Sequence, residues 1–272
     1  YDLASGEKSP LLQKDWDVSF VTYSASGRYQ IAAINEDAKR SLIVRDLSTD
    51  SDVQLPSFPS GNVVSVRFAA DDSKVAFLIN GSTQPSNVYV GAINSEDAKA
   101  LTDALNPEID QTQLVQAEVI RYPSFDGLDI PSILYKPKTA SPDHKVPAVV
   151  WVHGGPGGQS GTRYNPVIQH LANHGYAVLA VNNRGSSGYG KTFFHMDDKK
   201  HGEVDLQDVI YGRRYLEGLD WVDGSKVAIM GGSYGGYMVA AALAFEPEAF
   251  DVGINIFGVT NWLRTLKSIP PW

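Results

Sequence analysis

The amino-acid sequence predicts a two-part chain: short antiparallel strands over residues 1–112, then an α/β domain over residues 113–272, a parallel sheet with helices on both faces. Three observations predict it. In the first part, a pattern of strand and turn residues recurs at an offset of 45. In the second, near-continuous apolar runs alternate with helical segments, as expected for strands buried on both faces. Within the second part, a strand, a glycine turn centred on Ser233 and an Ala-rich helix follow one another.

The repeat comes first in the chain. Val21-Thr22-Tyr23-Ser24-Ala25 overlays Val66-Arg67-Phe68-Ala69-Ala70, and the offset of 45 holds to Asn35 and Asn80. Each copy has an alternating strand, a turn (Ser26-Gly27-Arg28 or Asp71-Asp72-Ser73), a second strand (Ile31–Ile34 or Val75–Ile79) and a third (Leu42–Leu47 or Val88–Ile93). Strand and turn at about 40–45 residues per unit is the period of a β-propeller blade. A generic antiparallel sandwich is the alternative, and an offset kept through three consecutive strands favours blades. Propellers close with about 4–8 blades, and two alone leave long unpaired edges. Residues 1–112 are therefore expected to be the last blades, about two, of a longer propeller. Tyr1, with no methionine and no apolar leader, is expected to be a processed or truncated start.

Past Asn106-Pro107 the pattern changes. Val119–Tyr122 and Ile130–Tyr135 predict a hairpin around Phe125-Asp126-Gly127, and Pro137–Pro147 a polar loop. Apolar strands follow at Ala148–Val152, Tyr176–Val181, Val227–Met230 and Val252–Phe257. Between them lie predicted helices at Pro166–Asn173, closed by His174-Gly175, at Val204–Leu216, with Asp205 and Asp208 expected on its outer side, and at Gly236–Phe245.

Composition narrows the function classes. The 272 residues are 43% hydrophobic and 20% charged, ordinary globular usage, with a net charge of −8. No run approaches the roughly 18 apolar residues of a membrane helix. An acidic chain lacks the basic footprint of a nucleic-acid binder. With no cysteine there is no disulfide, thiolate metal site or cysteine nucleophile. His195, Asp197, Asp198 and His201 lie close together but at no dependable ligand spacing, so no metal and no cofactor are expected.

Gly231-Gly232-Ser233-Tyr234-Gly235-Gly236 is G-x-S-x-G between a strand and a helix, the context that gives this motif meaning. A strand turning sharply into a helix strains the central residue, and flanking glycines remove side chains that would clash. The serine hydroxyl then stands exposed at the carboxyl edge of the sheet. The Tyr234 N–H, at the helix start, is placed to bind a developing oxyanion. The strand ending at Val152 runs into His153-Gly154-Gly155-Pro156-Gly157-Gly158, the loop that supplies the second oxyanion donor in α/β hydrolases; Gly155 is the candidate. His153 reads as a brace for that loop. The glycine run is not a phosphate loop, because it lacks Gly-Lys-Ser/Thr.

Three ordered strings, His153-Gly154-Gly155-Pro156, Asn182-Asn183-Arg184-Gly185-Ser186-Ser187-Gly188-Tyr189-Gly190 and Gly231-Gly232-Ser233-Tyr234-Gly235-Gly236-Tyr237, resemble the prolyl oligopeptidase family of serine peptidases, most nearly its dipeptidyl-aminopeptidase and acylaminoacyl-peptidase branches. The resemblance covers residues 117–272 strongly and the repeat more loosely. It implies a propeller that restricts access to short peptides and an α/β-hydrolase domain that cuts them. Ser233 would be the nucleophile, with Tyr234 and Gly155 forming the oxyanion hole. In the oligopeptidase branch a tyrosine donor takes the position of His153, so the histidine here leans toward the other branches. Val259 and Trp262 resemble residues lining the pocket for the side chain before the scissile bond; ordinary core is the alternative.

The triad of this fold runs Ser, Asp, His in chain order. After Ser233 come one aspartate, Asp251, and no histidine; all six histidines lie upstream. Asp251 falls too early, beside the last strand, and reads as a turn residue. A serine without a general base is a weak nucleophile. The chain is therefore expected to be an internal piece of a longer peptidase, its hydrolase sheet incomplete, inactive alone and ending mid-motif at Ile269-Pro270-Pro271-Trp272. An esterase on the same fold is the second hypothesis, because ester and amide cleavage share nucleophile and oxyanion hole. A non-catalytic fragment is the third. Short peptides are the expected partners, with no nucleic acid and no membrane segment; homo-oligomerisation is open, as is a cytoplasmic or periplasmic location. Glu36, Asp37, Glu96 and Asp97, carboxylates available to a peptide N-terminus, are expected to be a solvated face.

Overall fold

The computed structural model describes residues 1–59 and 61–268. The first part forms two antiparallel four-stranded sheets. One comprises β1 (Asp17–Tyr23), β2 (Tyr29–Glu36), β3 (Lys39–Asp46) and β4 (Ser51–Asp52); the other comprises β5 (Asn62–Phe68), β6 (Lys74–Gly81), β7 (Gln84–Ala92) and β8 (Lys99–Ala100). The copies agree in detail. A register shift lies between Val18 and Phe20 in the first and between Val63 and Ser65 in the second, the same offset of 45. The first turns close alike, Ser24 N–H on Tyr29 O and Ala69 N–H on Lys74 O, both at 2.9 Å. Ser24 and Ala25 leave the expected strand because the Ser24 hydroxyl also accepts the Tyr29 N–H and seals the turn. The fourth strands, two residues each, carry too little pattern to be foreseen. Tyr29, Ile31 and Val44 of one sheet share a core with Val66, Val75, Phe77 and Ile79 of the other.

The chain continues through β9 (Ala117–Pro123), β10 (Asp129–Tyr135), β11 (Val146–Val152), α1 (Pro166–Asn173), β12 (Ala177–Val181), α2 (Gly190–Phe194), α3 (Val204–Glu217), β13 (Val222–Gly232), α4 (Tyr234–Phe245), β14 (Val252–Ile256) and α5 (Trp262–Ser268). Its strands form one sheet in the order β14-β13-β11-β12-β10-β9. β12, β11, β13 and β14 are parallel. The sheet is nevertheless mixed, not parallel throughout, because the predicted hairpin extends it: β10 pairs antiparallel with β12 and β9 with β10. β10 is buried from Ile130 to Tyr135, and a strand apolar on both faces needs cover on both, which a free hairpin cannot provide.

Helices cover both faces. Leu206 and Val209 of α3 and Met238 and Val239 of α4 pack on Val150, Leu179 and Ile229; Ile168 and Ala172 of α1 pack on Ile133, Val149 and Val178. The α1 bounds follow local rules. Asn165 accepts the Val167 and Ile168 N–H groups, Pro166 opens the helix, and Gly175 beyond it holds φ +82°. α2 and α5, short and weakly patterned, were not anticipated. Among the described residues no helix is long and apolar enough to cross a membrane.

Asp205 and Asp208 do not face outward as expected; both are fully buried. Asp208 accepts from Arg184 Nε at 2.9 Å, the Arg184 N–H at 2.8 Å and the Ser124 hydroxyl at 2.6 Å. Helical spacing alone cannot reveal partners that arrive from other segments. Asp37 departs from its expectation too: it forms a two-pronged ion pair with Arg121 at 2.8 and 3.0 Å, tying the first sheet to β9. Other ties across the two parts are Asn35 to Gln159 at 2.8 Å and the Gly188 N–H to Asp17 at 3.0 Å. Gln169, buried on α1, donates to the carbonyls of Ser82 and Val115.

Candidate active site

The strand β13 ends at Gly232 and α4 begins at Tyr234, so Ser233 alone makes the corner. Its φ is +57° and ψ −118°, a conformation that costs a non-glycine residue on the order of 1–3 kcal/mol. The flanking glycines make the corner possible. A Cβ on Gly231 would lie 2.5 Å from the Gly235 carbonyl, and one on Gly235 would lie 2.1 Å from Val152 O at the end of β11. The elbow is thus pressed against the neighbouring strand.

Ser233 is exposed. Its N–H donates to Ile256 O at 3.1 Å, and its carbonyl accepts the N–H groups of Tyr237 at 3.1 Å and Val259 at 3.3 Å. In a trans peptide N–H and C=O point opposite ways. A carbonyl held toward the helix therefore turns the Tyr234 N–H outward, to the side of the serine. The Ser233 hydroxyl makes no hydrogen bond among the described residues, and α4 presents its N-terminal dipole end behind it.

The loop after β11 lies alongside. A Cβ on Gly154 would stand 3.3 Å from Ser233 Cβ and 3.8 Å from Ser233 Oγ, so a side chain there would crowd the hydroxyl. Gly155 follows with φ +143°, where a Cβ would lie 2.4 Å from the Gly158 N. His153 braces this loop: Nδ1 is 2.8 Å from Gly154 O and Nε2 is 2.8 Å from Ser186 Oγ. Burial pushes its imidazole pKa down, favouring the neutral ring. A carbonyl can only accept, so the Nδ1–H donates to Gly154 O, while Nε2 lies beside the Ser186 oxygen, whose hydroxyl donates to Asn183 O at 2.6 Å.

Behind the elbow is a polar layer that sequence reasoning missed. The Tyr234 hydroxyl donates to buried Asp205, whose other oxygen accepts the Gly202 N–H at 2.7 Å and the Leu206 N–H at 2.9 Å. Burial pushes the Tyr234 hydroxyl pKa far up and raises that of Asp205. The Tyr234 ring meets His201 edge-on at 5.6 Å. Asp197, 2% exposed, stands 3.8 Å from His201 Nε2, and burial lifts its carboxyl pKa to about 6. His195 pairs with Asp198 at 3.0 Å on the surface. Among the described residues no three His, Asp or Glu side chains form a metal-binding group.

Of the other residues singled out, Trp262 packs edge-on against Tyr237 at 5.2 Å and lies 6.1 Å from Tyr234. Val259 reaches the elbow through its backbone. Asp251 is exposed and accepts the Val227 N–H at 2.8 Å. Val227 lies midway along β13, six residues or about 20 Å from Ser233 at ~3.3 Å per residue, so Asp251 is out of reach of Ser233. Ile269–Trp272 lie outside the described residues.

A mixed α/β sheet whose strand turns through a strained, exposed serine into a helix, joined to two antiparallel four-stranded sheets, is consistent with the class of proteins that pair a β-propeller with an α/β hydrolase. Residues 162–272 match the prolyl oligopeptidase family model. The chain is 30% identical over its whole length to dipeptidyl aminopeptidase BIII of Pseudoxanthomonas mexicana, covering 40% of that protein. It is 30% identical over 79% of its length to dipeptidyl peptidase family member 6 of Caenorhabditis elegans, covering 32% of it. Among solved structures, the Pyrococcus horikoshii acylaminoacyl peptidase superposes with TM-score 0.77 at 25% identity, over 93% of this chain and 39% of that one. A Mycobacterium tuberculosis puromycin-hydrolysing peptidase gives TM-score 0.83 over 96% of this chain and 42% of its own, at 22% identity, a likeness of fold. Over residues 162–272 the chain is similar to the prolyl oligopeptidase family, and it spans well under half the length of these relatives.

Proposed function

We propose that this chain supplies the nucleophile elbow and oxyanion hole of a serine peptidase acting on short peptides as an exopeptidase, releasing dipeptides or acylated residues. Ser233 attacks the scissile carbonyl to form an acyl-enzyme and expel the amine, and water then hydrolyses the ester. The oxyanion is held by the Tyr234 N–H and a donor of the Gly155 loop; one such donor is worth about 3 kcal/mol of transition-state stabilisation. Val259 and Trp262 line the pocket for the side chain before the scissile bond. The two four-stranded sheets are propeller blades that limit access, and the split between the two parts lies near residue 112. The observation that carries this reading is exposed Ser233 on a strained corner at the start of α4, its hydroxyl without a hydrogen bond among the described residues.

Proton transfer needs a base. No described side chain bonds to Ser233 Oγ, and the six histidines all precede it. The base and its orienting acid are therefore assigned to residues beyond this segment, and residues 1–272 on their own are expected to be unreactive. In the full-length protein a fluorophosphonate should label Ser233, and Ser233→Ala should abolish both labelling and hydrolysis of dipeptidyl anilides. Hydrolysis of short acyl esters with none of anilides would favour an esterase instead. Unchanged anilide hydrolysis in Ser233→Ala would refute the assignment.

A further inference from the structure

We propose that Asp205 is a positioning residue for the oxyanion hole, acting through the Tyr234 side chain to aim the Tyr234 N–H. This rests on the role of Ser233 and Tyr234 proposed above.

The peptide between Ser233 and Tyr234 is held at two points. Its carbonyl accepts from Tyr237 and Val259 at 3.1 and 3.3 Å, which sets the plane. The Tyr234 side chain, 2% exposed, runs back into the protein and ends on Asp205. Asp205 belongs to the first turn of α3, a different element from the elbow, and is anchored there by the Gly202 and Leu206 N–H groups at 2.7 and 2.9 Å. A hydroxyl on a carboxylate is a short, directional bond. Tyr234 cannot rotate its Cα without giving up that bond inside the protein, where an unpaired charge is costly. The ring is further confined by His201 at 5.6 Å and Tyr237 at 5.5 Å, and the Tyr237 hydroxyl donates to His201 O at 3.2 Å. α3 is thereby clamped to the start of α4 at the residue that presents the N–H. Asp205 is fully buried, so its effect travels through Tyr234.

The test uses the full-length protein, a dipeptidyl anilide, and active sites counted by labelling Ser233 to completion with a fluorophosphonate. Tyr234→Phe removes the hydroxyl, and Asp205→Asn keeps shape while removing the charge. Each should lower kcat per labelled site about tenfold to a hundredfold, the scale of a misaimed donor, with KM within about twofold. The double variant should be no worse than the weaker single one, because both break one bond. Wild-type kcat per labelled site in both single variants, whatever their melting temperatures, would overturn the proposal while leaving Ser233 as nucleophile. Should Asp205→Asn not fold, Tyr234→Phe decides by the same criterion. Absence of labelling at wild-type Ser233, with hydrolysis intact in Ser233→Ala, is a different pattern; it overturns the oxyanion-hole assignment and this proposal with it.

Discussion

The paired four-stranded sheets and the six-stranded sheet differ in how they bury charge. In the paired sheets several carboxylates seal the turn they belong to, while Asp17, Asn35 and Asp37 reach across to the other half. Asp46 accepts from Ser48 and from Arg28 at the far end of the adjoining strand pair, and Asp71 accepts from Ser73. In the six-stranded half they join segments far apart. Arg184 binds Asp126 and Asp208, 58 and 24 positions away, and Tyr234 binds Asp205, 29 away. The first arrangement stabilises hairpins one at a time and can be copied as a unit, which is why it recurs. The second couples loops to helices and helices to the elbow, and it does so only once in the described chain.

If that contrast is right, the largest effect should come from the buried network. Arg184→Ala strands Asp208, which is fully buried, and should cost about 3–5 kcal/mol in urea unfolding; Arg184→Lys should recover only part, since an ammonium cannot reproduce the fork that reaches both carboxylates. Next is the elbow. Gly235→Ala places a Cβ 2.1 Å from Val152 O, an overpacking worth about 1–3 kcal/mol, and in the full-length protein it should slow fluorophosphonate labelling of Ser233.

A smaller effect should depend on pH. Burial lifts the Asp197 carboxyl to about 6 from 3.8, against the pull of His201. The folded state therefore holds a proton that the unfolded chain has released across this window. The associated stability is full below about pH 4 and is lost as pH rises through 6. Asp197→Asn, which cannot ionise, should gain on the order of 1–2 kcal/mol relative to wild type between pH 4 and pH 7.5. Melting curves at the two pH values check this, and an equal difference at both would exclude the titration. The smallest effect is expected in the paired sheets. The Arg45–Asp50 pair is exposed, with side-chain accessibilities of 46% and 77%, so Arg45→Ala should change stability by less than about 0.5 kcal/mol. A loss comparable to that of Arg184→Ala would erase the contrast.

Local codes account for what could be read without coordinates. Strand alternation and turn residues revealed the repeat at its offset. Pro166 and His174-Gly175 bracketed α1, because helix ends are set by neighbours in the chain. Gly231, Ser233 and Gly235 marked the corner, because a strand turning into a helix leaves few residue types that fit. The sequence by itself thus determined the repeat, the alternation of apolar strands and helices, and the motif around Ser233. Only the tertiary structure decided that β9 and β10 complete a mixed sheet, that Asp205 and Asp208 face inward, and that Asp37 meets Arg121. Each of these depends on which distant segment arrives beside a residue. A charged side chain looks the same in sequence whether water or an arginine from another loop satisfies it, and packing alone settles which.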